Sequence, residues 1–206
     1  MINKVRLIAK LEIKGENVIK GMRMEGLRKV GKPEELVFKY FNEGIDEIVL
    51  VDTVASLYGR NYLIDLVSNT SSKIFIPLTV GGGVRSVNDM EKLLTAGADK
   101  VCVNTAAVNE PTLISESSKI FGSSCIVVEI QAKKRSSKHW EVLIENGREQ
   151  THLDVKDWCK KVEELGAGEI LLTSVDNDGT GLGFDSHLIE EVCNKTNIPI
   201  IASGGC

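Results

Sequence analysis

Short runs of β-branched residues alternate along the chain with longer segments whose apolar residues recur at helical spacing. The short runs are VRLIAKLEI, EIVLVD, KIFIPLTV, KVCVNT, SCIVVEI, EILLTS and IPIIAS. The longer segments mostly end in glycine, a common helix stop, and they read PEELVFKYFNEG, SVNDMEKLLTAG, PTLISESSKIFG and VKDWCKKVEELGAG. Nearly continuous apolar runs are typical of parallel strands covered on both faces. The pattern predicts an α/β fold and leaves open a doubly wound sheet and a closed (β/α)8 barrel.

An internal repeat decides between these architectures. EGIDEIVLVD matches LGAGEILLTS, and IPLTVGGG matches IPIIASGG at the same offset. Two similar (βα)4 halves predict a TIM barrel, and we expect one barrel domain over residues 1–206. The partner of ADKVCVNT would begin beyond Cys206. We therefore expect the eighth βα unit to be absent and the chain to be truncated after the seventh strand, since seven strands would leave two unpaired edges.

Composition argues against several kinds of partner. The formal net charge of −4 gives no global attraction to nucleic acid or to a membrane surface. No stretch approaches the ~20 apolar residues of a membrane span, and the N-terminus lacks the apolar segment of a signal peptide. The five cysteines have no CxxC spacing. We expect a cytoplasmic protein with reduced thiols, no metal and no cofactor.

Chemistry in a barrel is expected at the carboxyl ends of the strands. Two glycine runs stand at such ends, VGGGVRS with Gly82 and Gly83, and SGGC with Gly204 and Gly205. Backbone N–H groups of such runs can approach an anion near a helix N-terminus, although one run alone also fits a tight turn. Their duplication favours two phosphate cradles. The other polar groups at strand ends are Glu12, Asp52, Thr79, Asn104, Thr105, Gln131, Thr173 to Asp178, and Ser203.

The chain resembles, along its whole length, the cyclase subunit of imidazole glycerol phosphate synthase, the HisF family. The matching segments are KGENVIKG, GIDEIVLVDTVAS, IPLTVGGGVRS, GADKVCVNTAAV, FGSSCIVVEIQAKK, GAGEILLTSVDNDGTGLGFD and IPIIASGG. The resemblance implies a (β/α)8 barrel of histidine biosynthesis. It also implies a glutaminase partner whose ammonia passes through the barrel to a bis-phosphorylated ribulosyl-carboxamide.

The resemblance assigns roles to the residues at the strand ends. The two catalytic positions of the family, both Asp, fall on Glu12 and Gln131. Glu carries its carboxylate one methylene further, and Gln cannot exchange a proton, so the acid/base pair is altered unless water or Asp176 substitutes. We expect phosphate to be bound by Gly82, Gly83, Asn104, Thr105, Gly204 and Gly205, and the substrate to be positioned by Asp52, Thr173 and Ser203.

Charged residues at the amino ends of four strands match the family's ammonia gate. They are Arg6, Glu47, Lys100 and Glu169, and the neighbouring Asp99 matches a residue that faces the glutaminase. For any one of them a solubilising strand cap is the simpler explanation. Two charges of each sign at matching positions favour an intact entrance for ammonia.

Three functions remain open from the residues. The preferred hypothesis is a divergent paralogue that delivers ammonia for amidation of a surface-polysaccharide sugar, because KGMRMEGLRKVGKP and ASLYGRN resemble such paralogues. The alternative is a genuine cyclase of histidine biosynthesis, and the second alternative is a catalytically inactive docking barrel. Gln131 argues against the cyclase, and the matching gate argues against the docking barrel.

Overall fold

The computed structural model describes residues 5–54 and 61–206, so most of the segment ASLYGRN lies outside the described residues. The strands are β1 Ile8–Lys14, β2 Asn17–Met22, β3 Glu25–Gly31, β4 Glu47–Asp52, β5 Leu78–Gly81, β6 Lys100–Val103, β7 Ile126–Ser136, β8 His139–Ile144, β9 Glu149–Asp154, β10 Glu169–Ser174 and β11 Ile200–Ser203. The helices are α1 Pro33–Asn42, α2 Asn61–Ser71, α3 Val87–Thr95, α4 Thr105–Asn109, α5 Thr112–Phe121, α6 Val155–Glu164 and α7 Ser186–Cys193.

The predicted α/β fold class is confirmed. Each predicted apolar run contains a strand, namely β1, β4, β5, β6, β7, β10 and β11, and each predicted helical segment contains a helix. The sequence did not predict the strands β2, β3, β8 and β9. Part of the reason is that β3 and β9 are mostly exposed and carry no apolar pattern.

The chain packs as two compact units. The first comprises residues up to Ile19 together with Lys29–Cys102, and the second comprises Lys20–Arg28 together with Val103–Cys206. The single domain over residues 1–206 and the absence of the eighth βα unit stay predictions.

The first unit is built on a ladder of parallel strands. β4 pairs with β1 and with β5, and β5 pairs with β6. The core runs through β4, where Ile48, Val49 and Leu50 are fully buried. Helix α1 begins at Pro33, whose fixed φ suits the first helical position, and helix α3 is capped by Ser86, whose side chain accepts from the Asp89 backbone N–H at 3.2 Å.

The second unit combines parallel and antiparallel pairing. β10 lies between β7 and β11 in parallel, and the long β7 continues into an antiparallel meander with β8 and β9. Helix α6 packs on this meander with the buried side chains of Val155, Trp158, Cys159 and Val162, the i, i+3, i+4, i+7 spacing of an apolar helix face. Asp154 caps α6 by accepting from two backbone N–H groups.

Two further properties concern the described residues as a whole. The helices found within residues 5–54 and 61–206 include none long and apolar enough to cross a membrane. The five cysteines are free thiols, of which Cys102 and Cys159 are buried.

Candidate functional site

In the first unit, Glu12 stands near the carboxyl end of β1 as a buried carboxylate. The residue is 5% exposed, and its Oε1 lies 3.5 Å from Nζ of Lys10. The two residues are separated by one position on a strand, so they share a face. Lys10 was not predicted as a site residue, although a lysine inside an apolar run, two residues before a candidate acid, is a signal visible in the sequence.

In the second unit, Gln131 occupies the corresponding place near the end of the parallel part of β7. The residue is 4% exposed, and its Nε2 donates to Oε2 of Glu129 at 3.4 Å. Glu129 is buried like Gln131. It was not predicted as a site residue either, although it too stands two residues before a candidate site residue inside an apolar run. Each unit therefore places a charged residue two positions before the candidate catalytic residue, on the same face of the strand.

Strand register supports the equivalence of these two pairs. Glu12 lies opposite Val51 of β4, and Gln131 lies opposite Thr173 of β10. Val51 and Thr173 are equivalent in the repeat EIVLVD/EILLTS. The pairing of Thr173 with Ser203 then places Gln131, Thr173 and Ser203 in one row across three parallel strands.

Asp176 is engaged by its own unit. Its Oδ1 accepts from Nζ of Lys133 at 2.6 Å, and its Oδ2 accepts from the backbone N–H of Lys134 at 2.8 Å. A stand-in role for Asp176 as acid or base would require these bonds to be released first. Its catalytic role stays a prediction.

Asp52 stands at the end of β4. Burial raises the pKa of its carboxyl group, and a hydrogen bond from the backbone N–H of Val54 at 2.9 Å acts in the opposite direction. A carboxyl that protonates more readily than usual suits proton exchange or donation to a substrate oxygen.

The two predicted phosphate cradles share two backbone features, a positive φ at both glycines and a first glycine packed against the neighbouring strand. Gly82 has φ +100°, and a Cβ placed there would lie 2.1 Å from the carbonyl oxygen of Asp52. Gly204 has φ +90°, and its Cβ would lie 2.5 Å from the carbonyl oxygen of Ser174, the repeat equivalent of Asp52. Only glycine fits either position, because the conformation and the space both exclude a side chain. Gly83 and Gly205 follow with φ +63° and +115°.

Asn104 and Thr105 make hydrogen bonds within the second unit. Thr105 Oγ1 accepts from the backbone N–H of Glu145 at 3.1 Å, and Asn104 Nδ2 donates to the carbonyl of Leu143 at 3.5 Å. Both side chains thus hold the turn between β8 and β9. Their predicted phosphate contacts stay a prediction.

Three of the four predicted gate residues lie together in the first unit. Glu47 is fully buried, and its carboxylate accepts from Arg6 Nη1 at 2.8 Å, from Lys100 Nζ at 3.2 Å and from Thr79 Oγ1 at 2.9 Å. Glu169 begins β10 in the second unit. Thr79 was expected at the carboxyl end of its strand, but it lies near the amino end of β5, where its hydroxyl donates to Glu47.

Asp99 directly precedes β6 and contacts Leu78, the first residue of β5. Its backbone N–H donates to the carbonyl of Leu78, and its Oδ2 accepts from the Leu78 N–H at 2.8 Å. It lines a cleft of about 340 Å³ beside Phe75, which is 87% exposed. This end of the first unit therefore presents an aromatic side chain next to a charged one.

The hairpin of β2 and β3 adds a residue that the sequence analysis did not name. Lys20 Nζ donates to Oδ1 of the buried Asp178 at 2.7 Å, and the backbone N–H of Arg23 donates to the Asp178 carbonyl at 2.7 Å. Met24, at the tip, packs on Leu143 and Val175. Asp178 thus anchors the Lys20–Arg28 part of the hairpin, which belongs to the same unit.

Within residues 5–54 and 61–206, no group of three or more His, Cys, Asp or Glu side chains is placed to hold one metal ion. The described chemistry rests on carboxylates, amides, hydroxyls and backbone N–H groups. Such groups can bind anions and exchange protons.

Comparison with known proteins identifies the family. A family model described as histidine biosynthesis protein matches residues 6–206. A relative from Legionella pneumophila, named imidazole glycerol phosphate synthase subunit HisF, is 55% identical over 204 residues, which make up 99% of this chain and 96% of the relative. The chain belongs to the HisF family. Further HisF subunits, from Methanopyrus kandleri and Prochlorococcus marinus (strain MIT 9312), are 51% and 54% identical over 98% of this chain and 80% and 79% of their own lengths.

Membership of the HisF family bears on two predictions. It agrees with the TIM-barrel type of α/β fold. The relatives are named as subunits of imidazole glycerol phosphate synthase, so they support the cyclase alternative better than the preferred prediction of surface-polysaccharide amidation, which none of them supports.

Proposed function

We propose that this chain is the cyclase subunit of an imidazole glycerol phosphate synthase and that it uses ammonia on a bis-phosphorylated ribulosyl-carboxamide. The observation that carries the proposal is more than half identity to HisF subunits across nearly the whole chain. The products are imidazole glycerol phosphate and an aminoimidazole carboxamide ribotide.

The duplicated glycine geometry supports a substrate with two phosphate ends. Gly82 and Gly204 lie against equivalent backbone positions, and each is followed by a second glycine with positive φ. Successive N–H groups in such a conformation point toward an anion. One cradle in each unit provides one binding place for each phosphate group.

Ammonia enters at the amino ends of the strands, past Arg6, Glu47, Lys100 and Glu169. The hydrogen bonds of the buried Glu47 to Arg6 and Lys100 support this assignment, because such a network can rearrange without leaving one charge uncompensated. A glutaminase subunit binds at this end. The exposed Phe75 beside Asp99 supports that interface, since aromatic side chains are enriched at protein interfaces.

Catalysis in this proposal uses Glu12 as the proton-exchanging group at the end of β1. Gln131 binds and orients but does not exchange protons. General acid–base help is typically worth ~10²–10⁴-fold, so we expect cyclisation slower than that of an enzyme with Asp at both positions.

The deciding experiment measures imidazole glycerol phosphate formation from the ribulosyl-carboxamide with saturating ammonium and no glutaminase. Product formation that is lost in Glu12→Gln, with folding retained, supports the proposal. A chain that binds the substrate but forms no product, even with a glutaminase present, would contradict it.

The amidation hypothesis keeps one specific observation in its favour, the amide at Gln131 in place of a proton-exchanging side chain. Its test is ammonia transfer to a sugar acceptor by a cognate sugar amidotransferase. Such transfer without imidazole glycerol phosphate formation would make amidation the function.

A further inference from the structure

Gln131, Thr173 and Ser203 form a polar row across three strands of the second unit. Gln131 also pairs with Glu129 on the same face of β7. Glu129 and Gln131 are two positions apart on β7, and both are more than nine-tenths buried. Thr173 of β10 lies opposite Gln131 and is fully buried. The intervening residue Ile130 points to the other face, so the three polar side chains share one surface of the sheet.

The hydrogen bonds fix the role of each Glu129 oxygen. Gln131 Nε2 donates to Oε2 at 3.4 Å, and Thr173 Oγ1 donates to Oε1 at 3.4 Å. An oxygen pair that accepts on both sides is the pattern of a carboxylate. If the amide of Gln131 were rotated by half a turn, its oxygen would face a carboxylate oxygen, and two acceptors would repel. Glu129 therefore determines which end of the amide faces it.

The other end of that amide is left without a partner. Gln131 Oε1 is buried, and within residues 5–54 and 61–206 it receives no hydrogen bond. A buried acceptor without a donor bears its full desolvation penalty, so such an atom in a native protein calls for a ligand or a solvent molecule that donates to it. What fits Oε1 is a small N–H or O–H donor.

The first unit repeats the arrangement with different residues. Lys10 stands two residues before Glu12 on β1, as Glu129 stands two residues before Gln131 on β7. Lys10 Nζ is 3.5 Å from Glu12 Oε1. In both units a charged residue two positions earlier on the strand contacts one end of the candidate site side chain; Glu129 is buried, whereas the Lys10 side chain is 13% exposed. In both halves of the repeat, the earlier residue of the pair thus orients the side chain of the later one.

We propose that Gln131 Oε1 accepts an N–H of the ammonia used in the reaction and that Glu129 is the positioning residue that presents this oxygen. The proposal rests on the proposed function for the identity of the nitrogen donor. An N–H of the substrate offers the same chemistry, and the experiment has separate arms for the two. Gln131 thereby becomes a binding residue for the nucleophile, and Glu129 acts only through it.

The kinetic test compares four variants with ammonium as the varied substrate. Glu129→Leu removes the acceptor for Gln131 Nε2, so the amide loses its fixed orientation, and we expect the KM for ammonium to rise about tenfold with a smaller change in kcat. Glu129→Gln can still accept from Gln131 Nε2 and should stay within about threefold of the unmodified protein. Gln131→Leu should raise the KM at least as much as Glu129→Leu, and the double variant should show no further increase.

Glu141 provides a matched control. It is a buried glutamate of the same unit with two partners, Arg135 Nε at 2.6 Å and the backbone N–H of His152 at 2.9 Å, and it lies on β8 outside the polar row. Glu141→Leu should lower stability without a specific effect on the KM for ammonium. If Glu129→Leu and Glu141→Leu change the kinetics alike, Glu129 is structural and the proposal is wrong.

A measurement independent of turnover uses the side-chain amide of Gln131 in ¹H–¹⁵N NMR, assigned by the signals lost in Gln131→Leu. Glu129→Leu should shift these signals, and ammonium chloride at mildly alkaline pH should shift them only where Glu129 is present. A response to substrate alone would overturn the assignment to ammonia, and no response to either would overturn the site. An ammonium response without any product formation would leave this inference standing and remove the proposed cyclisation, whereas product formation with an unchanged KM in Glu129→Leu would do the reverse.

Discussion

Nζ of Lys20 lies 2.7 Å from Oδ1 of Asp178, and the two partners differ greatly in exposure. The Lys20 side chain is 41% exposed, whereas that of Asp178 is 4% exposed and its Oδ2 has no hydrogen-bond partner within the described residues. Loss of the pair should therefore cost Asp178 more than Lys20. Water can hydrogen-bond the exposed lysine in place of Asp178, but it cannot reach the buried carboxylate in place of Lys20.

This asymmetry predicts unequal effects of removing either partner. Lys20→Met leaves a buried carboxylate short of donors and should lower the free energy of unfolding by about 1–3 kcal/mol. Asp178→Asn keeps an acceptor for an exposed lysine and should cost less than ~1 kcal/mol. Urea unfolding of both variants at equal m-value gives the comparison. Equal losses would show that the pair does not anchor the hairpin in the way described.

The backbone of Gly82 predicts a substitution effect that its φ angle alone does not explain. Gly44 has φ +85° and no atom within 4 Å of the place where a Cβ would lie, whereas Gly82 has φ +100° and a Cβ position 2.1 Å from the Asp52 carbonyl. Gly44→Ala should cost about 1–2 kcal/mol of stability, from the left-handed conformation. Gly82→Ala should cost at least ~1–3 kcal/mol more and should weaken binding of a bis-phosphate ligand, as measured by calorimetry. Similar losses of stability and of ligand binding in both variants would argue against the cradle.

The proposed catalytic roles of Glu12 and Gln131 predict a gain of function on substitution. Glu12→Asp combined with Gln131→Asp restores two proton-exchanging groups and should raise ammonium-driven cyclisation by about 10²-fold or more, whereas Glu12→Asp alone should do little. Steady-state product formation with saturating ammonium gives the rates. Should the unmodified protein already turn over at ~1 s⁻¹, a common rate for enzymes, Gln131 is no impediment and the prediction is wrong.

The proposed ammonia gate predicts that a gate substitution lowers glutamine-driven turnover more than ammonium-driven turnover. Lys100→Met removes one cation from the buried Glu47, so coupling of glutamine hydrolysis to product formation should fall several-fold, and ammonium-driven turnover should fall much less. Lys156→Met is the matched control, because Lys156 is also partly buried and its ion pair with Glu191, at 3.4 Å, belongs to the second unit and includes none of the four gate residues. Equal loss with glutamine and with ammonium would remove Lys100 from the ammonia path.

Cys159 predicts a loss of stability at alkaline pH. Burial raises the pKa of its thiol from 9.0 to about 12, and the nearby charge of Asp154 adds to the shift. The unfolded thiol ionises first, so this stabilisation is complete below pH 9.0 and is lost as the pH rises from there toward about 12, by up to ~1.4 kcal/mol per pH unit. Unfolding free energies measured on either side of pH 9 should fall less steeply for Cys159→Ala than for the unmodified protein. Cys206→Ala, at an exposed thiol, should leave the slope unchanged.

The sequence by itself determined the parallel strands, the helices α1, α3, α5 and α6, and the two glycine turns. Each is set by a local pattern: a continuous apolar run for β4, an apolar stripe for α6, and glycines directly after a strand for Gly82 and Gly204. The repeat EIVLVD/EILLTS then indicated which positions are equivalent, because duplicated strands keep their register.

Only the tertiary structure decided which side chains meet. Strand periodicity places Lys10 with Glu12 and Glu129 with Gln131 on one face, but it does not say that these faces are buried, and burial turns a solvated charge into a hydrogen-bonded support. Contacts across strands, such as Lys100 and Thr79 with Glu47, depend on strand register, and the contact of Lys20 with Asp178 depends on a hairpin whose strand β3 carries no apolar pattern. Residues far apart in the chain are brought within hydrogen-bond distance by packing, and a linear pattern does not encode that distance.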